Sequence, residues 1–216
     1  MSFKIKSKYI FILVICGLII INLFQYAENK SYEKYLSQKV KVSVSNIASK
    51  ILENNFILKN AINERKITNI KLNILGNNFY NIALEHNKLY EIYKMKSKKS
   101  IKDSSTFMIA DDCSMFISMK MLGNYGNEYI IIRDEETVEL NDKTVEILKI
   151  MQEVVSNWSE IVKDNVKGAT PDGMQGSYWD DYHNGINDKY WSNILCDLND
   201  YNKGLDWDYK KLQIED

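Results

Sequence analysis

Apolar residues fall into three patterns along this chain: one unbroken run, several seams at helical spacing, and a few short β-favouring stretches. The unbroken run is bounded by Tyr9 and Phe24, carries no charge, and follows Lys4, Lys6 and Lys8. At 1.5 Å per residue, residues 9–24 make about 24 Å of helix, slightly short of a bilayer core of about 30 Å, with interfacial Tyr9 and Tyr26 at the edges. Lysines ahead of such a run keep the N-terminus on the cytoplasmic side. The expectation is therefore a cytoplasmic tail at 1–8, a single-pass signal-anchor helix at 9–27 in the cytoplasmic membrane, and an extracytoplasmic remainder. Cleavage after Ala27 would put Gln25 where a small residue is normal, and Ile15 fills the place a lipobox gives to a small residue before Cys16, so the anchor is expected to stay uncleaved.

Beyond the run, Val40, Val44, Ile47, Ile51, Asn54, Leu58 and Ala61 step by four and three, with Leu36 extending the seam backwards. Neither proline nor glycine separates Phe24 from this stretch, which predicts that the anchor helix runs on as a stalk. After a polar break at 63–66 the rhythm returns with Leu75, Phe79, Ile82, His86, Leu89 and Tyr93. The two seams predict an antiparallel helical hairpin over 28–96, since each needs the other to bury it. His86 reads as a hydrogen-bonded or edge histidine, with a ligand contact or pH switch as the sharper alternative.

Lys94, Lys96, Lys98, Lys99 and Lys102, interleaved with Ser97, Ser100, Ser104 and Ser105, predict a solvated loop. Attraction to anionic wall polymer or lipid headgroups is its functional alternative. Asp111 or Asp112 is placed to cap a short helix with Met115, Met119 and Leu122 on one face, stopped by Gly123. Residues 129–133 and 137–140 flank three acids and predict a small β-hairpin. Asn141 is an N-cap, with Leu140 and Val145 positioned as a hydrophobic staple. Thr144, Leu148, Met151, Val155, Trp158 and Val162 then form a face ended by Gly168. Residues 97–167 thereby complete the bundle. The fold class is mainly α: a transmembrane helix followed by a helical bundle with a small β-hairpin.

Composition narrows the function classes more than it selects one. The 216 residues leave room for one anchor and one domain, and a net charge of -1 offers no global attraction to nucleic acid. A single proline, 9 glycines and abundant Ile, Lys and Asn suggest a bacterium with an AT-rich genome and few flexible linkers. Of the 3 cysteines, Cys16 lies in the apolar run. Cys113 and Cys196 remain, readable as a disulfide or as two small buried thiols.

Over 168–185 the helical rhythm gives way to a run of turn residues, followed by a last helix expected over 187–202. This C-terminal region, 168–216, holds the candidate ligand-binding residues: Tyr178, Trp179, Asp180, Asp181, His183 and Trp191. Exposed rings stack on sugar faces while carboxylates accept hydroxyl hydrogen bonds, a chemistry suited to cell-wall carbohydrate. The structural alternative is that the rings pack the loop onto the bundle. Asp180, Asp181 and His183 are chemically suitable for a metal, but three near-adjacent residues do not define a coordination shell, so no metal, cofactor or catalytic residue is assigned. Asp197, Asn199 and Asp200 read as the polar face of a helix end. The functional expectation is a non-catalytic interaction, sensing or scaffold module of the bacterial envelope. It would have the bilayer and an envelope protein as partners, cell-wall polymer as a further candidate, and no nucleic acid. A carbohydrate binder or envelope hydrolase is the alternative.

Overall fold

One helix, α1 (Ser7–Glu64), carries the chain from the apolar run into the protein core without interruption. The computed structural model describes residues 7–97, 105–123, 135–170, 173–182 and 185–212, with side chains from residue 9 onward. Its apolar stretch near the N-terminus is long enough to cross a membrane and is wholly unburied, unlike the core helix of a soluble domain. From Val40 onward the same helix turns its seam inward: Val40, Val44, Ile47, Ile51, Asn54, Leu58 and Ala61 are all buried.

Arg65 takes a left-handed φ of 54° and ends α1. Strand β1 (Lys66–Thr68) follows, and the Thr68 hydroxyl then caps α2 (Asn69–Lys96) by accepting from Lys71 N. Helix α2 returns along α1, with Leu75, Phe79, Ile82, His86 and Leu89 all buried between its neighbours α1 and α3. Side-chain rungs fix the antiparallel register. Ser43 donates to Glu85 at 2.6 Å near one end, and Asn78 donates to Glu53 at 2.8 Å towards the other.

Helix α3 (Ser105–Phe116) continues into a π-helical turn, Ile117–Met121, and Gly123 leaves it with φ 69°. Its phase differs from the sequence expectation. Asp111 and Asp112 lie inside the helix rather than capping it, and Met115 is 37% exposed. The buried face is Thr106, Ile109, Ala110, Cys113 and Phe116. A buried chain sets that phase: Asn202 Nδ2 donates to Thr106 Oγ1 at 2.7 Å, and Trp158 Nε1 donates to Asn202 Oδ1 at 2.9 Å. Ser105 opens this helix rather than lying in a loop, and Lys94 and Lys96 belong to α2. Lys98, Lys99, Ser100, Lys102 and Ser104 lie outside the described residues.

Strand β2 (Thr137–Glu139) pairs antiparallel with β1, Ile67 opposite Val138. The described partner of β2 comes from the α1–α2 turn, while residues 129–133, expected as the other strand of a hairpin with 137–140, lie outside the described residues. Helix α4 (Asp142–Asn165) starts on Asn141, whose side chain accepts from Thr144 N at 2.8 Å. Leu140 and Val145 are both buried beside that cap, as a staple requires. A second two-stranded sheet joins β3 (Ala169–Thr170) to β4 (Gly173–Met174). A single helical turn, α5 (Tyr178–Asp181), a 3-10 turn at Gly185–Asn187, helix α6 (Tyr190–Lys203) and a 3-10 turn at Tyr209–Leu212 complete the chain.

The result is a helical bundle in which α2 and α4 pack on the inward seam of α1, α3 packs on α2, and α6 closes against α3 and α4. In α6, Leu198 and Asn199 are buried, so the stretch read as a polar helix end presents only Asp197 and Asp200 to solvent. Cys113 and Cys196 are free thiols, and burial pushes the Cys113 thiol well up.

Candidate functional site

The C-terminal aromatic segment is held by α1 and by the end of α4. Gly168, with φ 82°, turns the chain back after α4, and the small β3–β4 sheet leads it to Tyr178. The Tyr178 ring is fully buried, and its hydroxyl donates to the Lys41 carbonyl of α1 at 2.7 Å. Tyr182 and Tyr190 stack at 3.7 Å beside it, with both rings within 6.3 Å of Tyr178. The Tyr182 hydroxyl accepts from Lys167 N at 2.7 Å and donates to Asn165 O at 3.3 Å, satisfying a carbonyl at the C-terminus of α4.

Burial dominates the protonation of these phenols. It pushes Tyr178 far above the ordinary tyrosine value and Tyr190 up to about 12. Tyr182 is also raised by burial. All three therefore stay neutral near pH 7, as hydrogen-bonding groups rather than phenolate bases.

A second anchor lies one turn away. Gly185, with φ 53°, approaches α1 so closely that a Cβ there would lie 2.3 Å from Ser37 Cβ. Ile186 N donates to Ser37 Oγ at 3.1 Å, Asn187 donates to Glu33, and Lys96 from the end of α2 donates to Ile186 O. Trp191 is 2% exposed, donates from Nε1 to Ile186 O at 3.1 Å, and meets Tyr93 edge-on. The segment is thus a clasp that closes on residues 33–41 of α1.

The six candidate residues separate accordingly. Tyr178 and Trp191 are packing elements of the clasp, committed to α1 and α2 respectively. Trp179 is 42% exposed, with its carbonyl accepting from Lys41 Nζ at 2.8 Å and the same ammonium 5.5 Å from its ring centroid. Asp180 and Asp181 are exposed on the same turn. His183 lies outside the described residues. The surface that remains is one ring with two adjacent carboxylates. Among the described residues, no three His, Cys, Asp or Glu side chains gather as a metal-ligand set.

One feature escaped the sequence reading, and a second was singled out there with the wrong surroundings. A polar groove of about 620 Å³ runs between α1 and α4, lined by Asn55, Lys59, Gln152, Glu153 and Asn157 among others. Gln152 Nε2 bridges it to Asn55 Oδ1 at 2.7 Å. In the sequence these residues look like the ordinary solvent faces of two helices. The second is His86, 1% exposed with neither ring nitrogen hydrogen-bonded, which corrects the expectation of a partnered or edge histidine. Burial pushes its pKa down to about 4. Asn54, on the facing seam, is likewise buried with its amide unpartnered.

No protein-family model matches the chain, and neither the curated proteins nor the solved structures provide a match.

Proposed function

We propose that this protein is a membrane-anchored, extracytoplasmic, non-catalytic interaction module of the bacterial cell envelope, in which the anchor and the bundle form one mechanical unit. The observation that carries this reading is the continuity of α1, whose apolar half is unburied and whose other half supplies the central seam of the core. A helix shared in this way transmits a tilt or shift at the membrane directly to the packed domain, because close-packed interiors do not absorb strain locally. The clasp on residues 33–41 stiffens the point where the two halves meet.

Partner contact is assigned to the stalk or to the aromatic end, where Trp179 is the exposed ring. The test is photo-crosslinking in living cells with a reactive amino acid placed at Tyr35, at Trp179 and, as a control, at Lys59. A discrete protein adduct from Tyr35 or Trp179 but not Lys59 supports the reading; equal, diffuse crosslinking from all three positions contradicts it.

The carbohydrate-binding alternative retains one supporting observation, the exposure of Trp179 beside Asp180 and Asp181. It requires that Trp179→Ala abolish retention on purified peptidoglycan while leaving thermal unfolding unchanged.

A further inference from the structure

The end of the bundle nearest the apolar run is defined by a chain of contacts. Lys96, the last residue of α2, donates to Ile186 O and to Asn187 Oδ1, and Asn187 donates to Glu33 of α1. The end of α2 and the Gly185–Asn187 turn therefore lie at one level of α1, that of Glu33. Along α1, Glu33 lies about 13 Å beyond Phe24 at 1.5 Å per residue.

That spacing shrinks once the anchor is fitted to a bilayer. Residues 9–24 supply about 24 Å of apolar helix against a hydrocarbon core of about 30 Å, so the bilayer must thin or the flanking turn must be drawn inward. Drawing in one further turn leaves roughly 8 Å between the hydrocarbon edge and Glu33, comparable with a polar layer of about 5–7 Å per leaflet. The bundle end then stands at headgroup height.

Its chemistry suits that position. Lys30, Lys34, Lys94, Lys96 and Lys189 are all exposed at this level or just below it. The facing acids are Glu28, Glu33, Glu91 and Asp188. Glu91 pairs with Lys94 at 3.4 Å, which engages one lysine together with one acid, and Glu33 accepts from Asn187 while keeping its charge, so the lysines exceed the acids by one. Tyr26, Tyr32 and Tyr35 are 64%, 55% and 53% exposed, and Lys30 lies over the Tyr26 ring at 5.8 Å. Exposed tyrosines interleaved with lysines next to an apolar span have the chemistry of a membrane interface, where long side chains extend toward lipid phosphates.

We propose that this end of the bundle, through Lys30, Lys34, Lys94, Lys96 and Lys189, is seated on the anionic phospholipid headgroups of the bilayer that α1 crosses. This rests on the reading of residues 9–24 as an anchor. Seating holds the stalk at a fixed tilt and turns the opposite end of the bundle, with the α1–α2 turn, away from the lipid.

The test is backbone hydrogen exchange of the full-length chain in nanodiscs of purely zwitterionic lipid and in nanodiscs containing anionic phosphatidylglycerol. Peptides covering 92–97 and 185–191 should exchange several-fold more slowly in the anionic discs. The effect should fade at high salt and vanish in the variant Lys30→Gln/Lys34→Gln/Lys94→Gln/Lys189→Gln. Lys96 is spared because its amine also holds the clasp. Peptides covering 65–72 and 141–146 should not respond to lipid or variant, which also reports that the variant is folded. A chain that fails to enter either disc sinks the anchor and this proposal with it. Full incorporation with equal exchange in both discs sinks this proposal alone. Protection by soluble inorganic polyphosphate but not by anionic lipid overturns it in favour of a wall-type polymer.

Discussion

Gly185 lies against Ser37 of α1 with no room for a side chain: an added Cβ would come within 2.3 Å of Ser37 Cβ and 2.9 Å of its Cα. The left-handed φ of 53° adds to that demand. Gly185→Ala should therefore destabilise the protein by about 3 kcal/mol, combining overpacking with left-handed strain. Ser37→Ala removes only the hydroxyl that accepts from Ile186 N, and should cost about 1 kcal/mol. Chemical denaturation of both variants checks the order, which reverses if the clasp is loosely seated.

Tyr178 and Trp179 are neighbours with opposite roles, one bonded to the Lys41 carbonyl and one partly in solvent. Tyr178→Phe should cost about 1 kcal/mol, because the partly buried Lys41 carbonyl loses its tyrosine donor. Trp179→Ala should change stability by less than the Tyr178 substitution. Thermal unfolding compared side by side decides it; a larger loss from Trp179→Ala would contradict this assignment.

His86 makes the fold acid-sensitive. Its folded-state pKa of about 4 lies below the unfolded value of 6.5, so the unfolded chain takes up a proton first as pH falls. Stability is fully present above pH 6.5 and is lost between there and about pH 4, by up to about 3 kcal/mol. Glu85 acts in the same direction at lower pH. Burial opposes its charge, but bonds from Ser43, Lys88 and Asn46 outweigh that and hold the carboxyl below its usual range. Denaturation of His86→Leu at pH 7 and pH 5 should show a flatter pH dependence than the parent chain; an unchanged slope would assign the acid sensitivity elsewhere.

Asn141 shows what was readable in the sequence. Its N-cap, the Leu140–Val145 staple and the seam ending at Val162 depend on residues within one helix, and local spacing specifies them. Asn141→Ala should accordingly cost about 1 kcal/mol, measurable as a lower unfolding midpoint. The α1–α2 pairing was equally legible, because two long apolar seams have few other ways to be buried. By contrast, Thr137–Glu139 finds its partner at Lys66–Thr68, far away in the chain, where no local pattern marks it. The phase of α3 follows from the buried Thr106, Asn202 and Trp158 chain, which exists only once three helices have met. At the candidate site, aromatic content marked the segment as distinctive. Which rings would face α1 depended on Gly185 and Ser37 fitting together, a relationship between residues on opposite sides of the chain.

The most direct test of the anchored arrangement is labelling of Lys59→Cys, exposed on the C-terminal half of α1, with a membrane-impermeant maleimide in intact bacterial cells expressing the full chain. Labelling above the parent chain without lysis, with the protein retained in membranes after alkaline carbonate washing, is the expected result. Recovery of full-length protein in the soluble fraction, or labelling only after lysis, would contradict a membrane-anchored domain on the outer side.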